Sequence, residues 1–208
     1  MHEHSGQPVL QAGATLGKGR LVVILLHGRG ASPEDILGLV PQLARPDLTY
    51  LAPAAADNTW YPYTFLSEIS KNEPFLSSAL QAVGDLVAYV EGHGTPRDRI
   101  VLGGFSQGAC LSLEFAVRHA SRWGGILAFS GGLIGPPGTT WDQPGSFDGT
   151  PVFLGCSDVD AHIPKARVEE SADVLRRMGA EVTKRFYPGM GHIVNDDEIE
   201  EARRILGS

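Results

Sequence analysis

The chain is poor in cysteine, with two in 208 residues. That is too few for a disulfide framework. Cys110 and Cys156 both sit in apolar segments, which predicts buried free thiols in a reducing compartment. Long hydrophobic runs are missing as well. The longest, "LVVILL" (21–26), falls far short of the roughly 20 residues a transmembrane helix needs, so no stable membrane association is expected. The opening stretch "MHEHSGQPVLQAG" has no basic region followed by an apolar segment. It is therefore not read as a secretory signal, and a cytoplasmic location is expected. His2 and His4 are read as parts of a loosely held terminus rather than as a metal pair. No basic cluster occurs. With 17 Lys and Arg against 24 Asp and Glu the net charge is -7, which argues against nucleic acid and anionic membranes as partners. Repeats and linkers are absent too. What remains, 42% hydrophobic and 20% charged residues, suits one globular domain with a substantial core.

The hydrophobic pattern alternates between two periods. Apolar, β-branched runs occur at 20–28, 48–53, 99–105, 124–130, 150–156 and 180–188, and most are continuous rather than alternating, as in parallel strands covered on both faces. Between them lie helical patterns. Ser32, Pro33 and Asp35 form a helix start with a capping box. Leu76, Leu80, Val83, Leu86, Val87 and Val90 share one face, as do Val168, Ala172, Leu175 and Met178. The last helix, "DDEIEEARRIL", has acids in its first turn and arginines near its end, matching the helix dipole. Alternating strands and helices predict an α/β sandwich with a mostly parallel central sheet and helices on both faces. "PVLQAG" near the start is expected to add an antiparallel edge strand, paired with 20–27 through "TLGKG".

Within this frame Gly104-Phe105-Ser106-Gln107-Gly108 is a G-x-S-x-G sequence where a strand ends and a helix begins. That setting is what a nucleophile elbow requires. It lifts the serine hydroxyl above the sheet edge and turns the start of the next helix, with the Gln107 N–H, toward the same point. A glycine-rich strand–helix connection is the plainer alternative. A serine needs a base to take its proton, and the base needs a carboxylate. His192, in the glycine-containing loop "YPGMGHIV", lies on no periodic apolar face and is the candidate base. Asp158 and Asp160 follow a predicted strand between the serine and the histidine, and spacing alone allows either. "HGRG" (27–30), after the most apolar strand, can supply a second oxyanion donor through the Arg29 N–H. His27 then reads as an anchor for that loop.

Together these segments resemble the phospholipase/carboxylesterase family of α/β-hydrolases, which includes carboxylesterases and acyl-protein thioesterases. "LHGRG" is similar to the family's oxyanion loop, "GFSQGA" to its nucleophile elbow and "YPGMGH" to its histidine loop. The resemblance runs from about Val22 to the C-terminus. It implies an α/β-hydrolase fold with a minimal lid. "DVDAHIP" resembles the family's D-x-D-x-x-V-P pattern, in which the second aspartate completes the triad, and this implies Asp160. The implied activity is hydrolysis of small to medium carboxylic esters through Ser106, His192 and Asp160, with no metal or organic cofactor. Thioesterase or lysophospholipase-type activity, and a non-catalytic ligand-binding use of the fold, are the alternatives. The expected partner is a small-molecule ester, and a homodimer is compatible with the chain.

"APAAADNTWYPYTFLSEISKNEP" is a connection of about twenty residues, longer than most. Its aromatic residues predict an ordered cap, with Trp60 and Tyr61 walling an apolar substrate pocket. A satellite hydrophobic cluster is the competing reading. The 131–150 segment is a second long loop and a candidate for the opposite wall.

Overall fold

The structure, a computed structural model, describes residues 3–207. Seven strands form one sheet: β1 (Val9–Gly13), β2 (Val22–Leu26), β3 (Thr49–Pro53), β4 (Ile100–Phe105), β5 (Gly125–Phe129), β6 (Pro151–Ser157) and β7 (Glu181–Tyr187). Their order is β1-β3-β2-β4-β5-β6-β7, and only β1 runs antiparallel. The helices are α1 (Pro33–Leu37), α2 (Val40–Leu43), α3 (Ile69–Asn72), α4 (Phe75–Gly92), α5 (Gln107–Arg118), α6 (Lys165–Arg177) and α7 (Asp196–Leu206). This is the α/β-hydrolase fold expected from the sequence.

The continuous apolar runs are continuous because both faces of the sheet are covered. All five residues of β2 are buried, and each such side chain contributes roughly 1.5–3 kcal/mol by leaving water. Ile24 and Leu26 pack on one side with Val83, Val87, Leu113 and Val168, under α4, α5 and α6. Val23 and Leu25 pack on the other with Ile36, Ile199 and Leu206, under α1 and α7. Ser32 caps α1 and closes a capping box with Asp35. Asn195 does the same for α7 with Glu198.

β1 departs from expectation. It pairs with β3, with Val9 opposite Pro53 and Gly13 opposite Thr49, not with the neighbouring β2. Both edges of β2 are already taken, by β3 and β4 in parallel. The free ladder is the outer edge of β3, and β1, buried on one face at most, fits there.

The start of the chain is also better anchored than expected. His4 is 3% exposed, and His2 lies outside the described residues. The 131–150 segment is not a wall of any cleft near Ser106. Leu133, Ile134, Trp141 and Phe147 are buried in the core beside α5 and α6. Arg167 of α6 donates to the carbonyls of Leu133 and Gly135.

Candidate active site

The parallel strands end on one side of the sheet, where ligands of such folds gather. β4, near the centre, delivers Ser106 there. The residue sits at φ 55° and ψ -118°, a conformation rare for a non-glycine residue and held only when the surroundings fix it. Its N–H donates to the Phe129 carbonyl at 2.9 Å, and its own carbonyl accepts from Cys110 at 3.0 Å. The flanking glycines are required by contact. A Cβ on Gly108 would stand 2.1 Å from the Leu26 oxygen, and one on Gly104 2.6 Å from the same atom.

The loop after β7 carries His192 to the serine, and the loop after β6 carries Asp160 to the histidine. His192 Nε2 lies 2.8 Å from Ser106 Oγ, and His192 Nδ1 lies 2.6 Å from Asp160 Oδ2. A carboxylate can only accept, so the proton is on Nδ1. Nε2 is left free to accept from the serine hydroxyl. Asp160 Oδ1 accepts from the N–H groups of His162 and Ile163, at 2.8 and 3.0 Å. Burial pushes the Asp160 carboxyl up, but the bonds from His192, His162 and Ile163 outweigh it. The group stays below its ordinary range, as a carboxylate with several donors should. Asp158 is turned elsewhere. Its Oδ1 accepts from the Gly189 N–H at 2.8 Å and so fastens the histidine loop.

On the opposite side of Ser106, His27 organises the loop after β2. The Ala55 N–H donates to His27 Nε2 at 3.1 Å. Nδ1 must then carry the proton, and it donates to the Gly28 carbonyl at 2.8 Å. Burial lowers the pKa of this imidazole and keeps it neutral. The carbonyl of Gly28 and the N–H of Arg29 belong to one planar peptide and point in opposite directions. Holding the carbonyl against His27 therefore aims the Arg29 N–H away from it. A Cβ on Gly28 would lie 3.5 Å from Ser106 Cβ, so this peptide borders the serine. Gln107 opens α5, and its N–H is among those that a helix leaves unpaired. The Arg29 side chain is exposed and donates to the Pro62 and Tyr63 carbonyls at 2.8 and 2.6 Å.

A cavity of about 330 Å³ opens at Ser106 and His192. Tyr61, Phe65, Phe105, His162 and Ile163 are among the residues that line it. Trp60 is not, which corrects the expectation drawn from the sequence. It is 0% exposed, because its indole N–H donates inward to the His27 carbonyl at 2.9 Å. Tyr61 does line the cavity. His162 and Phe105 escaped notice in the sequence. Their rings lie 5.0 and 4.7 Å from that of His192. The signal for His162 was its place two residues after Asp160.

A larger groove of about 620 Å³ runs between β1 and α4. It contains none of the residues around Ser106, and no nucleophile–base pair faces it. Both cysteines are buried and free, and burial pushes each thiol up to about 12. Among the described residues no group of three or more His, Cys, Asp or Glu is placed to hold a metal ion. No helix among them is long and apolar enough to cross a membrane.

The sequence profile of the phospholipase/carboxylesterase family matches residues 14–207. The chain belongs to the phospholipase/carboxylesterase family. A phospholipase/carboxylesterase from Dyadobacter fermentans, known from its crystal structure, is 41% identical and covers 99% of each chain, with a TM-score of 0.94. Acyl-protein thioesterase 1 of Gibberella zeae is 37% identical over 116 residues, 54% of this chain and 49% of that protein. The match thus spans about half of the Gibberella protein's length. The Eremothecium gossypii protein of the same name is 27% identical over 204 residues, 88% of this chain and 85% of that one. Members of this phospholipase/carboxylesterase family are hydrolases.

Proposed function

We propose that the protein hydrolyses small to medium carboxylic esters through a covalent acyl-enzyme on Ser106. The observation that carries this reading is the unbroken line from Ser106 Oγ to His192 Nε2 at 2.8 Å and from His192 Nδ1 to Asp160 Oδ2 at 2.6 Å. In the proposed mechanism His192 takes the serine proton as Oγ attacks the ester carbonyl. Asp160 holds the imidazole in the needed tautomer and stabilises its charged form. The carbonyl oxygen becomes an oxyanion and is met by the N–H groups of Arg29 and Gln107. His192 then returns the proton to the leaving alkoxide. Water, activated by the same histidine, splits the acyl-enzyme and restores Ser106.

The cavity of about 330 Å³ is at the small end for ligand sites, which favours short acyl groups. A thioesterase reading is supported by the names of the relatives in Gibberella and Eremothecium. The same residues would serve it, since only the leaving atom changes from oxygen to sulfur.

The test is a panel of p-nitrophenyl esters of increasing acyl length with one acyl thioester, together with fluorophosphonate labelling. The parent should turn over short esters and be labelled. Ser106→Ala should do neither while keeping the parent's circular dichroism. Labelling that persists in Ser106→Ala would remove the serine from its proposed role.

A further inference from the structure

The residues that hold the proposed oxyanion donors are themselves held from a distance. Trp60 is tied at three points. Its N–H donates to Gln107 Oε1 at 2.9 Å, its indole donates to the His27 carbonyl at 2.9 Å, and its carbonyl lies 2.9 Å from His4 Nε2. Gln107 Nε2 in turn donates to the Tyr61 carbonyl at 2.7 Å. Both ends of the Gln107 side chain are thus fastened to residues 60 and 61, and the peptide before Arg29 is fastened through His27. The rings of His4 and His27 lie 5.5 and 5.1 Å from that of Trp60.

The segment leading into Trp60 needs such support. It is a single 3₁₀ turn (Ala56–Asn58), with Asp57 and Asn58 at φ 48° and 54°. Backbone of this kind persists only when its neighbours over-determine it. The Asn58 carbonyl of this turn accepts from the Gly30 N–H at 2.7 Å, so its position passes directly into the loop of Arg29. His4 is what fixes the turn from behind. The Ala56 N–H donates to His4 Nδ1 at 3.0 Å, so Nε2 bears the proton and donates to the Trp60 carbonyl. The His4 backbone N–H donates to Ser78 Oγ of α4 at 2.9 Å. His4 thereby braces both ends of the 56–60 turn against a long helix.

We propose that His4 is a positioning residue for the oxyanion side of the site. It acts through Trp60 on the direction of the Arg29 and Gln107 N–H groups. This rests on the hydrolase reading given above. Burial lowers the pKa of His4, in keeping with a neutral ring that donates once and accepts once. Oxyanion donors work because they are aimed before the charge develops, and small misplacements are costly. They act on the transition state, so a loosened pair should lower kcat and leave KM nearly alone.

The experiment uses the full chain with His4→Ala, His4→Gln and Trp60→Phe, alongside the parent and Ser106→Ala. It reads p-nitrophenyl butyrate kinetics, the rate of fluorophosphonate inactivation and the melting temperature. His4→Ala should lose about tenfold in kcat with KM within about twofold, short of the 10²–10³-fold that removal of a whole oxyanion donor costs. His4→Gln offers one acceptor and one donor and should recover most of that loss. Phosphonate inactivation should slow in step with kcat/KM, because the phosphonyl oxygen uses the same donors. Trp60→Phe keeps a ring in the buried site but drops the indole N–H. It carries the same test if His4→Ala does not fold. A folded variant with the parent's kcat and only a lower melting temperature would overturn the proposal, as would a raised KM at unchanged kcat. A parent inert toward ester and phosphonate alike would instead bring down the hydrolase reading, and this proposal with it.

Discussion

On the Arg29 side of Ser106, the loops at 27–31 and 54–61 are held by two imidazoles, an indole and an amide. On the His192 side, the loops at 157–163 and 188–195 are held by carboxylates: Asp158 on the Gly189 N–H, Asp160 on His192, and Glu198 on the Asn195 N–H. The Asp160 side chain and Glu198 are themselves buried, so exposure separates the imidazole from the indole rather than one whole side from the other. Trp60 is 0% exposed, whereas the side chain of His192 is 23% exposed. A Cβ on Gly189 or Gly191 would meet nothing within 4 Å. The difference matches what the proposed mechanism asks of each side. Oxyanion donors must already be in place and need no proton exchange, so neutral groups sealed from water suit them. The base must gain and lose a proton and must meet water for deacylation. An imidazole paired with the Asp160 carboxylate and partly open to water suits that.

The sharpest way to break this comparison is to make the two aspartates trade importance. Asp160→Asn would place an amide where His192 Nδ1–H now donates, favouring the wrong tautomer. We expect a loss of about 10⁴ in kcat, by the logic measured for serine proteases. Asp158→Ala removes only an acceptor for the Gly189 N–H. It should cost about 1 kcal/mol of stability and leave kcat within about tenfold of the parent. Kinetics and thermal melts of the two variants side by side decide it. A greater kcat loss for Asp158→Ala would mean that the loop, not the carboxylate–imidazole pair, sets the rate.

A second prediction uses pH to separate the two sides. Glu198 is buried and one of its oxygens, Oε1, has no hydrogen-bond partner among the described residues. That atom lies where a Cβ on Gly155 would fall, 2.2 Å away. Burial is the largest cause of its raised pKa, about 7. Below the unfolded-state value near ~4.3 the acid is neutral in both states and its contribution is fully present. As pH rises the unfolded chain ionises first, and stability is lost until the pH passes the folded value. Glu198→Gln keeps the capping-box geometry and removes this dependence. Relative to its own difference from the parent at pH 4.5, the variant should gain on the order of 2–3 kcal/mol by pH 8. Any fixed cost of the amide is the same at every pH. Denaturant melts from pH 4.5 to 8.5 measure the effect. A constant offset between the two proteins would show that Glu198 is charged in the fold. His4→Ala, on the side held by neutral groups, should drift the opposite way: burial lowers the pKa of His4, so the parent gains stability as pH rises from 4.5 toward about 6.5 and the variant does not.

The contrast also marks what the sequence made legible. The elbow could be read because Gly104, Ser106 and Gly108 act within one tight turn, and the contacts that demand glycine follow from local spacing. Five of the seven strands could be read from continuous apolar runs, and β7 from an alternating one. The partner of β1 could not, because pairing depends on which ladder is free, and that is decided only when β2 is enclosed by β3 and β4. Trp60 was misread for a similar reason. An aromatic residue in a long loop can face a ligand or the core, and what settles it is an acceptor on His27. His4 carried no local signal, since its partners are 56 and 74 residues away along the chain.

The smallest expected effect concerns the pocket wall rather than either set of loops. Ile163 is 3% exposed and lines the cavity at Ser106, with its N–H engaged by Asp160 at 3.0 Å. Ile163→Val therefore removes one methyl group from the wall and leaves the backbone bond in place. If an acyl chain fills that space, one further methylene becomes accommodated, worth about 0.8 kcal/mol or about fourfold in kcat/KM. The ratio of hexanoate to butyrate ester turnover should rise by about that factor. Trp60→Phe, acting on the proposed oxyanion donors, should lower both esters equally and leave the ratio alone. Chain-length profiles of the two variants against the parent test both halves of this statement at once. An unchanged ratio in Ile163→Val, with a shifted ratio in Trp60→Phe, would place the acyl group against the aromatic loop and restore to Trp60 the role its burial argues against.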